Sequence, residues 1–260
     1  MAHHITLLTD FGSQDGYTAA MRGYLLTHAP SAMVHEVSHD ITPQDVWQAA
    51  LALKRYARQF PNPCVHLVVV DPGVGSERQA LALQTSQGHW LIGPDNGVLS
   101  LAAETYSDIT AYAIKPQTPW WRKHSSFDGL ALFAPAAAKL CDQNAPLEDM
   151  LDPLSQYHQL SYPVPELIGQ QLIGQIVGFD RFGNALTNIT KADLPQGQPL
   201  KAFCGHLHFP LCEFYCAAEA HGRLALFNSD NVLELAVYQG SAQSELQLEV
   251  GQNLSISLAD

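Results

Sequence analysis

Six short polar segments interrupt apolar stretches of the chain: TDFGSQDG (9–16), DPGVGSER (71–78), GPDNG (93–97), HSSFDG (124–129), DRFGNALTN (180–188) and NSDN (228–231). Between them they carry several aspartates, a few asparagines and Arg78. Such groups can accept a proton, orient a water, bind hydroxyls or hold a cation. Any one segment reads equally well as a turn, because Asp, Asn and Gly tolerate turn backbone and bond to it. Six together argue for a carboxylate-rich pocket containing an arginine. DPGVGSER lacks the Lys-Ser/Thr ending of a phosphate-binding loop and the three-glycine spacing of a dinucleotide site. No Gly-x-Ser-x-Gly elbow marks a nucleophilic serine.

The 260 residues carry 13 basic and 25 acidic side chains, a formal net charge of -12, with acid in excess in both halves. Such a surface repels phosphodiester backbones and anionic lipid, which disfavours nucleic acid and membranes and favours a small-molecule partner. A hydrophobic share of 47% excludes disorder. Five cysteines, a start without a basic-then-apolar leader and the lack of an 18-residue apolar run predict a reduced, cytoplasmic protein. Cys204, His206, His208, Cys212 and Cys216 lie close in sequence, but the first four fall in an alternating, strand-like stretch rather than paired around turns, so no metal is expected.

The elements that must position these segments alternate. HITLLTDFG and AMVHEVSHD read as strands, and CVHLVVVDPGVGS as a strand buried on both faces that breaks into a turn. GYTAAMRGYLLTHA has helical spacing. TPQDVWQAALALKRYARQF predicts a helix capped by Thr42 with Pro43 at its first position. ALALQTSQGHWLIGPDNGVLSLAAET gives a hairpin-like pair and then a helix, and LALFAPAAAKLC a further helix. Residues 1–155 are therefore expected to form an α/β layered domain with a largely parallel sheet, its polar turns at the carboxyl ends of strands where ligands bind. The proline-bracketed stretch 156–169 reads as a crossover, and the short strands of 170–260 as a small all-β barrel domain.

In order along the chain, LLTDFGSQDGYTAAMRG, VVVDPGVGSER, IGPDNGVLS, SSFDGLALFAP, IVGFDRFGNALTNI and NSDNVLELAV resemble the S-adenosylmethionine hydroxide adenosyltransferases, relatives of adenosylmethionine-dependent fluorinases and chlorinases. The resemblance implies an N-terminal α/β domain, a C-terminal β-barrel and a homotrimer with substrate between one subunit's first domain and its neighbour's second. It implies hydrolysis of S-adenosylmethionine to adenosine and L-methionine, with no cofactor. By the same resemblance Asp71 and Arg78 match two members of a catalytic Asp, Arg, His set. Asp71 would take a hydrogen bond or proton from water, and Arg78 would fix that carboxylate. Asp10 matches a ribose-binding aspartate, Asp180 a ligand of the methionine ammonium, Asn184 a polar contact and Ser229 a carboxylate contact. Phe182 and Tyr215 match aromatic neighbours of adenine, and Phe11, Asn96 and Phe127 lie in the matched substrate-binding motifs.

Relatives read Ser-Thr-Phe-His-Gly-Arg-Asp where this chain has Ser125, Ser126, Phe127, Asp128, Gly129, Leu130 and Ala131, so Asp128 stands in place of the histidine. His124, four residues upstream, is a candidate substitute. Asp230 stands where the fluorinases have an arginine. An acid at position 71 repels an anion, Gly129 offers no hydroxyl where the fluorinases place a serine, and 80–91 lacks their extra loop, so halogenation is disfavoured. The missing histidine leaves a catalytically weak adenosine or adenosylmethionine sensor as the alternative to hydrolysis.

Overall fold

The computed structural model describes residues 3–115, 126–142, 146–194 and 199–258. His124 and Ser125 lie outside them. The chain divides into two units, Met1–Leu160 and Ser161–Asp260. No helix among the described residues is long and apolar enough to cross a membrane.

The first unit contains strands β1 (His3–Thr9), β2 (Ala32–Ser38), β3 (Cys64–Val69), β4 (Ala80–Thr85), β5 (His89–Pro94), β6 (Ile109–Ile114) and β7 (Leu151–Leu154). Its helices are α1 (Tyr17–His28), α2 (Val46–Tyr56), α3 (Ser100–Ala103) and α4 (Ala134–Leu140). One mixed sheet runs β2-β1-β3-β5-β4-β6-β7. The first four of these strands are mutually parallel, whereas β4, β6 and β7 pair antiparallel. The expected largely parallel sheet thus describes the N-terminal strands. The cause lies in the connection from β4 to β5, a tight turn through Gly88 that is too short for a crossover helix.

Alternation along the parallel strands fills two cores. Ile5, Leu7, Val65 and Leu67 pack with Met21, Leu25 and Phe133 from the α1 and α4 side. Leu8, Val68 and Val70 pack on the other face with Leu53, Leu99 and Ala102. Both faces are covered, so the strands read as continuous apolar runs. The helix predicted from Thr42 begins later. Asp45 is its cap, accepting from the Gln48 backbone N–H at 2.8 Å, and Gln44 just before it has φ 68°. Asp45 displaces Thr42 and Pro43 because the turn at Gln44 must reach the site, as shown below.

The second unit holds β8 (Glu166–Ile168), β9 (Gln171–Phe179), β10 (Ala185–Thr190), β11 (Pro199–Cys204), β12 (Leu207–Pro210), β13 (Arg223–Phe227), β14 (Val232–Val237) and β15 (Asn253–Leu258), with the short helix α5 (Ala242–Leu246). These strands form an antiparallel sheet in the order β12-β11-β15-β9-β10-β14-β13, with β8 beside β9. The sheet nearly closes on itself, since Leu211, just past β12, bridges to Ala225 in β13. Ile176, Ile189, Phe209, Leu235 and Ile256 fill its interior. The last residues of the expected 156–169 crossover are therefore strand β8.

Candidate active site

Asp10, Asp71 and Asn96 each follow a parallel strand, β1, β3 and β5, and so stand at the carboxyl end of the sheet. Beyond β3 the DPGVG turn reverses the chain. Gly75, at φ 82°, takes a backbone that other residues resist, and the return brings Arg78 back over Asp71. Arg78 Nε donates to Oδ1 of Asp71 at 3.1 Å and to Oδ2 at 2.9 Å, and its NH2 donates to Oδ2 as well. The same NH2 donates to Oδ2 of Asp128 at 2.6 Å. One guanidinium thus ties Asp71, its near neighbour in sequence, to Asp128, 50 residues further along the chain than Arg78. Its carbon lies 5.5 Å from the ring centroid of buried Phe133. Burial pulls the guanidinium down, but the hydrogen bonds and charges of Asp71 and Asp128 outweigh it and hold it above its ordinary value.

Asp128 opens a π-helical segment, Gly129–Phe133, that runs directly into α4. Such segments recur at functional sites because they widen the turn and re-aim side chains. Phe127, just before it, meets Phe11 edge-on at 5.4 Å and Tyr17 at 4.9 Å, and Phe11 follows Asp10. The sequence-predicted Asp10, Phe11, Asp71, Arg78, Phe127 and Asp128 therefore form one connected group. Tyr17, at the start of α1 and half exposed, belongs to it and was not singled out from sequence. The signal was an aromatic residue directly after a polar turn.

Asp10 is oriented by backbone. Its Oδ2 accepts from the Gln44 N–H at 2.7 Å, which explains the left-handed backbone at Gln44. The neighbouring turn is held by Thr9, whose Oγ1 accepts from the Phe11 N–H at 3.3 Å and bonds His39 Nδ1 at 2.9 Å. The His39 carbonyl accepts from the Gly12 N–H. Asn96 is spent on scaffold: Nδ2 donates to the Val70 carbonyl at 2.9 Å and Oδ1 accepts from the Val98 N–H at 3.1 Å. Gly93 lets β5 approach β3, since a Cβ there would lie 2.5 Å from the Val68 carbonyl oxygen.

In the second unit, Asp180 Oδ1 accepts from the backbone N–H of Phe182 and of Asn184, both at 2.9 Å, and Oδ2 accepts from Asn184 Nδ2 at 3.0 Å. This locked turn leaves Phe182 76% exposed. Tyr215 donates its hydroxyl to Oε1 of Glu234, whose Oε2 accepts from Asn228 Nδ2 at 3.3 Å. Asn228 Oδ1 in turn accepts from the N–H of Asp230 and of Val232, shaping the exposed turn that carries Ser229. Burial first, then Glu234 and Asp180, push the Tyr215 phenol up. Asp180 and Asn184 stand where β9 turns into β10, at the Leu235 end of β14, with Tyr215 close enough to feel the Asp180 charge, whereas the turn carrying Ser229 precedes Val232 at the other end of β14. Sequence reasoning missed Glu234, although a carboxylate in the middle of the apolar run VLELAV is itself a signal.

Among the described residues one group has converging metal-ligand atoms: Cys64, His66 and His89, all buried. Their atoms are engaged already. His66 bonds Thr6 Oγ1 through Nδ1 at 3.0 Å and His89 Nδ1 through Nε2 at 3.2 Å. Burial, then the neighbouring His89, lowers His66 to about 3, and burial raises the Cys64 thiol to about 12. The arrangement is that of a neutral hydrogen-bonded chain. Cys204 and Cys212 direct their thiols to the carbonyls of Asn253 and Pro210.

Comparison with known proteins matches residues 5–150 to the SAM hydroxide adenosyltransferase N-terminal domain and residues 174–255 to the corresponding C-terminal domain. The chain is 33% identical over 256 residues to the (R)-S-adenosyl-L-methionine hydrolase of Thermus thermophilus, covering 95% of this chain and 96% of that one. It is also 33% identical to the hydrolase of the same name from Salinispora arenicola, over 97% of each chain. The crystal structure of an uncharacterized conserved protein from Thermotoga maritima superposes with a TM-score of 0.86 at 30% identity, covering 97% of this chain and 99% of that one. By domain content, order and extent, the chain belongs to the SAM hydroxide adenosyltransferase family.

Proposed function

We propose that this protein hydrolyses S-adenosyl-L-methionine, and specifically the (R)-sulfonium form named for its relatives, to adenosine and L-methionine. The observation that carries the reading is the Asp71–Arg78–Asp128 bridge in direct continuity with the aromatic group beside Asp10. Attack of water at the ribose C5′ expels a neutral thioether, so the leaving group needs no acid and no resident cofactor. Water is the weak participant. It must be held about 3 Å from carbon, opposite sulfur, and relieved of a proton. Carboxylates clamped on a guanidinium supply orientation and a proton acceptor, and carboxylates in excess over cations suit a sulfonium.

Asp10, with one oxygen fixed by the Gln44 N–H, is assigned to the ribose hydroxyls. Phe11 and Phe127 line the sugar side. Asp180 and Ser229 are assigned to the methionine ammonium and carboxylate, and Phe182, Asn184 and Tyr215 to the nucleoside. Asn96 is assigned a supporting role behind Asp71 rather than contact with substrate. A homotrimer whose subunits share sites, as the family resemblance implies, and a cytoplasmic setting belong to the same reading.

The test is incubation of purified protein with each sulfonium epimer in ¹⁸O-water. Stoichiometric adenosine and methionine, with the label in the adenosine 5′-hydroxyl, is expected. Tight binding without products would overturn hydrolysis in favour of the sensor. Sharing of sites is checked by mixing Asp71→Asn with Asp180→Ala protein under subunit exchange, which is expected to raise activity above that of either variant alone.

A further inference from the structure

Asp71 and Asp128 are not equivalent partners of Arg78. Asp71 gives both oxygens to the guanidinium, Oδ1 to Nε and Oδ2 to Nε and NH2, and its side chain is 5% exposed. Asp128 gives Oδ2 alone and is 17% exposed. Among the described residues its Oδ1 has no partner. Asp128 also adjoins Phe127, whose ring touches Phe11 beside Asp10, the residue assigned above to the ribose. Asp71 is the more deeply buried of the two and has both oxygens committed to Arg78.

We propose that in this chain Asp128 is the general base and Asp71 the anchor that fixes Arg78. As the water oxygen bonds to C5′, the C5′–S bond breaks with its electron pair passing to sulfur, which leaves as the methionine thioether. The water proton passes to Oδ1 of Asp128 and then to solvent. Arg78 meanwhile holds Oδ2 and keeps the carboxylate aimed. This assignment rests on the hydrolase reading and apportions its roles. Among the described residues the charged groups tied to Asp128 are Arg78 and, through it, Asp71.

The experiment is the pH dependence of kcat/KM for wild type, Asp128→Asn, Asp128→His and Asp71→Asn, each checked by thermal melting. Asp128→Asn is expected to lower kcat by about 10²- to 10⁴-fold and remove the acid limb. Asp128→His is expected to recover part of the rate with the limb moved toward alkaline pH, because a free imidazole ionises about two and a half pH units above a free aspartate carboxyl. Asp71→Asn should lower the rate but leave the limb where it is in wild type. Should Asp128→Asn keep the wild-type limb, or Asp71→Asn erase it, the assignment is overturned. Formate added to Asp128→Ala is expected to restore turnover; formate rescue of Asp71→Ala instead would reverse the roles. Loss of turnover in wild type itself would count against the hydrolase reading and not against this division.

Discussion

Asn96 donates from Nδ2 to the carbonyl of Val70 at 2.9 Å, bracing the last buried residue before Asp71 from the neighbouring strand end. Without that amide the Val70 carbonyl is buried and unpaired, a penalty of about 1–3 kcal/mol. Asn96→Ala is therefore expected to lower stability by that order and to reduce kcat more than it raises KM, because what shifts is the Asp71 turn. Chemical denaturation together with steady-state kinetics checks it. A change confined to KM would mean that Asn96 meets the substrate.

Arg78→Lys keeps the charge and loses the fork. A single ammonium cannot reproduce two bonds from Nε and a shared NH2 to two carboxylates. The expected result is a fall in kcat of about 10²-fold or more, with a smaller loss of stability than in Arg78→Ala. The alanine variant leaves two partly buried carboxylates facing each other, where removing one partner of such a pair costs about 3–5 kcal/mol. Melting curves of both variants beside wild type measure the difference.

Tyr215 and Glu234 are expected to act as one unit. Removing the phenol hydroxyl takes one donor from the Glu234 carboxylate, and removing Glu234 takes the acceptor from both Tyr215 and Asn228. In a double-mutant cycle of Tyr215→Phe and Glu234→Ala, a coupling of about 1 kcal/mol or more is predicted in adenosine affinity, read by calorimetry. Additive losses would show that the two residues act separately.

The polar turns were legible because each ends an apolar run, and the parallel order of β1, β2, β3 and β5 together with that pattern fixes Asp10, Asp71 and Asn96 at one edge. What sequence spacing hid were partnerships made through space. Gln44 reads as part of a helix start until its N–H is seen on Asp10, and that bond explains why Asp45 rather than Thr42 caps α2. Asn96 reads as a ligand group, but its amide is occupied by backbone on both sides. Tyr17 and Glu234 were missed because an aromatic at a helix start and an acid in a strand gain meaning only from the residues opposite them. The antiparallel half of the first sheet was hidden for a related reason: the β4–β5 hairpin shows locally, but the place of β4 between β5 and β6 does not.

The buried chain from Tyr56 through Thr6 and His66 to His89 makes a prediction about acid. His66 ionises near 3 in the folded protein, lowered first by burial and then by His89, against 6.5 for an ordinary imidazole. His89 is lowered too, by burial and then by Arg58. Between those values the unfolded chain binds a proton that the folded chain refuses, so unfolding takes up protons and stability falls as pH is lowered from 6.5 toward 3. At about 1.4 kcal/mol for each tenfold change in proton activity, His66 accounts for a loss on the order of 4–5 kcal/mol across the window. Above pH 6.5 both states hold the imidazole neutral and this group contributes no slope. His66→Gln keeps a side chain able to bond Thr6 but cannot titrate. It is expected to be less stable than wild type at pH 7 yet to lose less stability between pH 6.5 and 4. Urea unfolding at closely spaced pH values compares the slopes, and equal slopes would show that a proton on His66 is tolerated inside the fold.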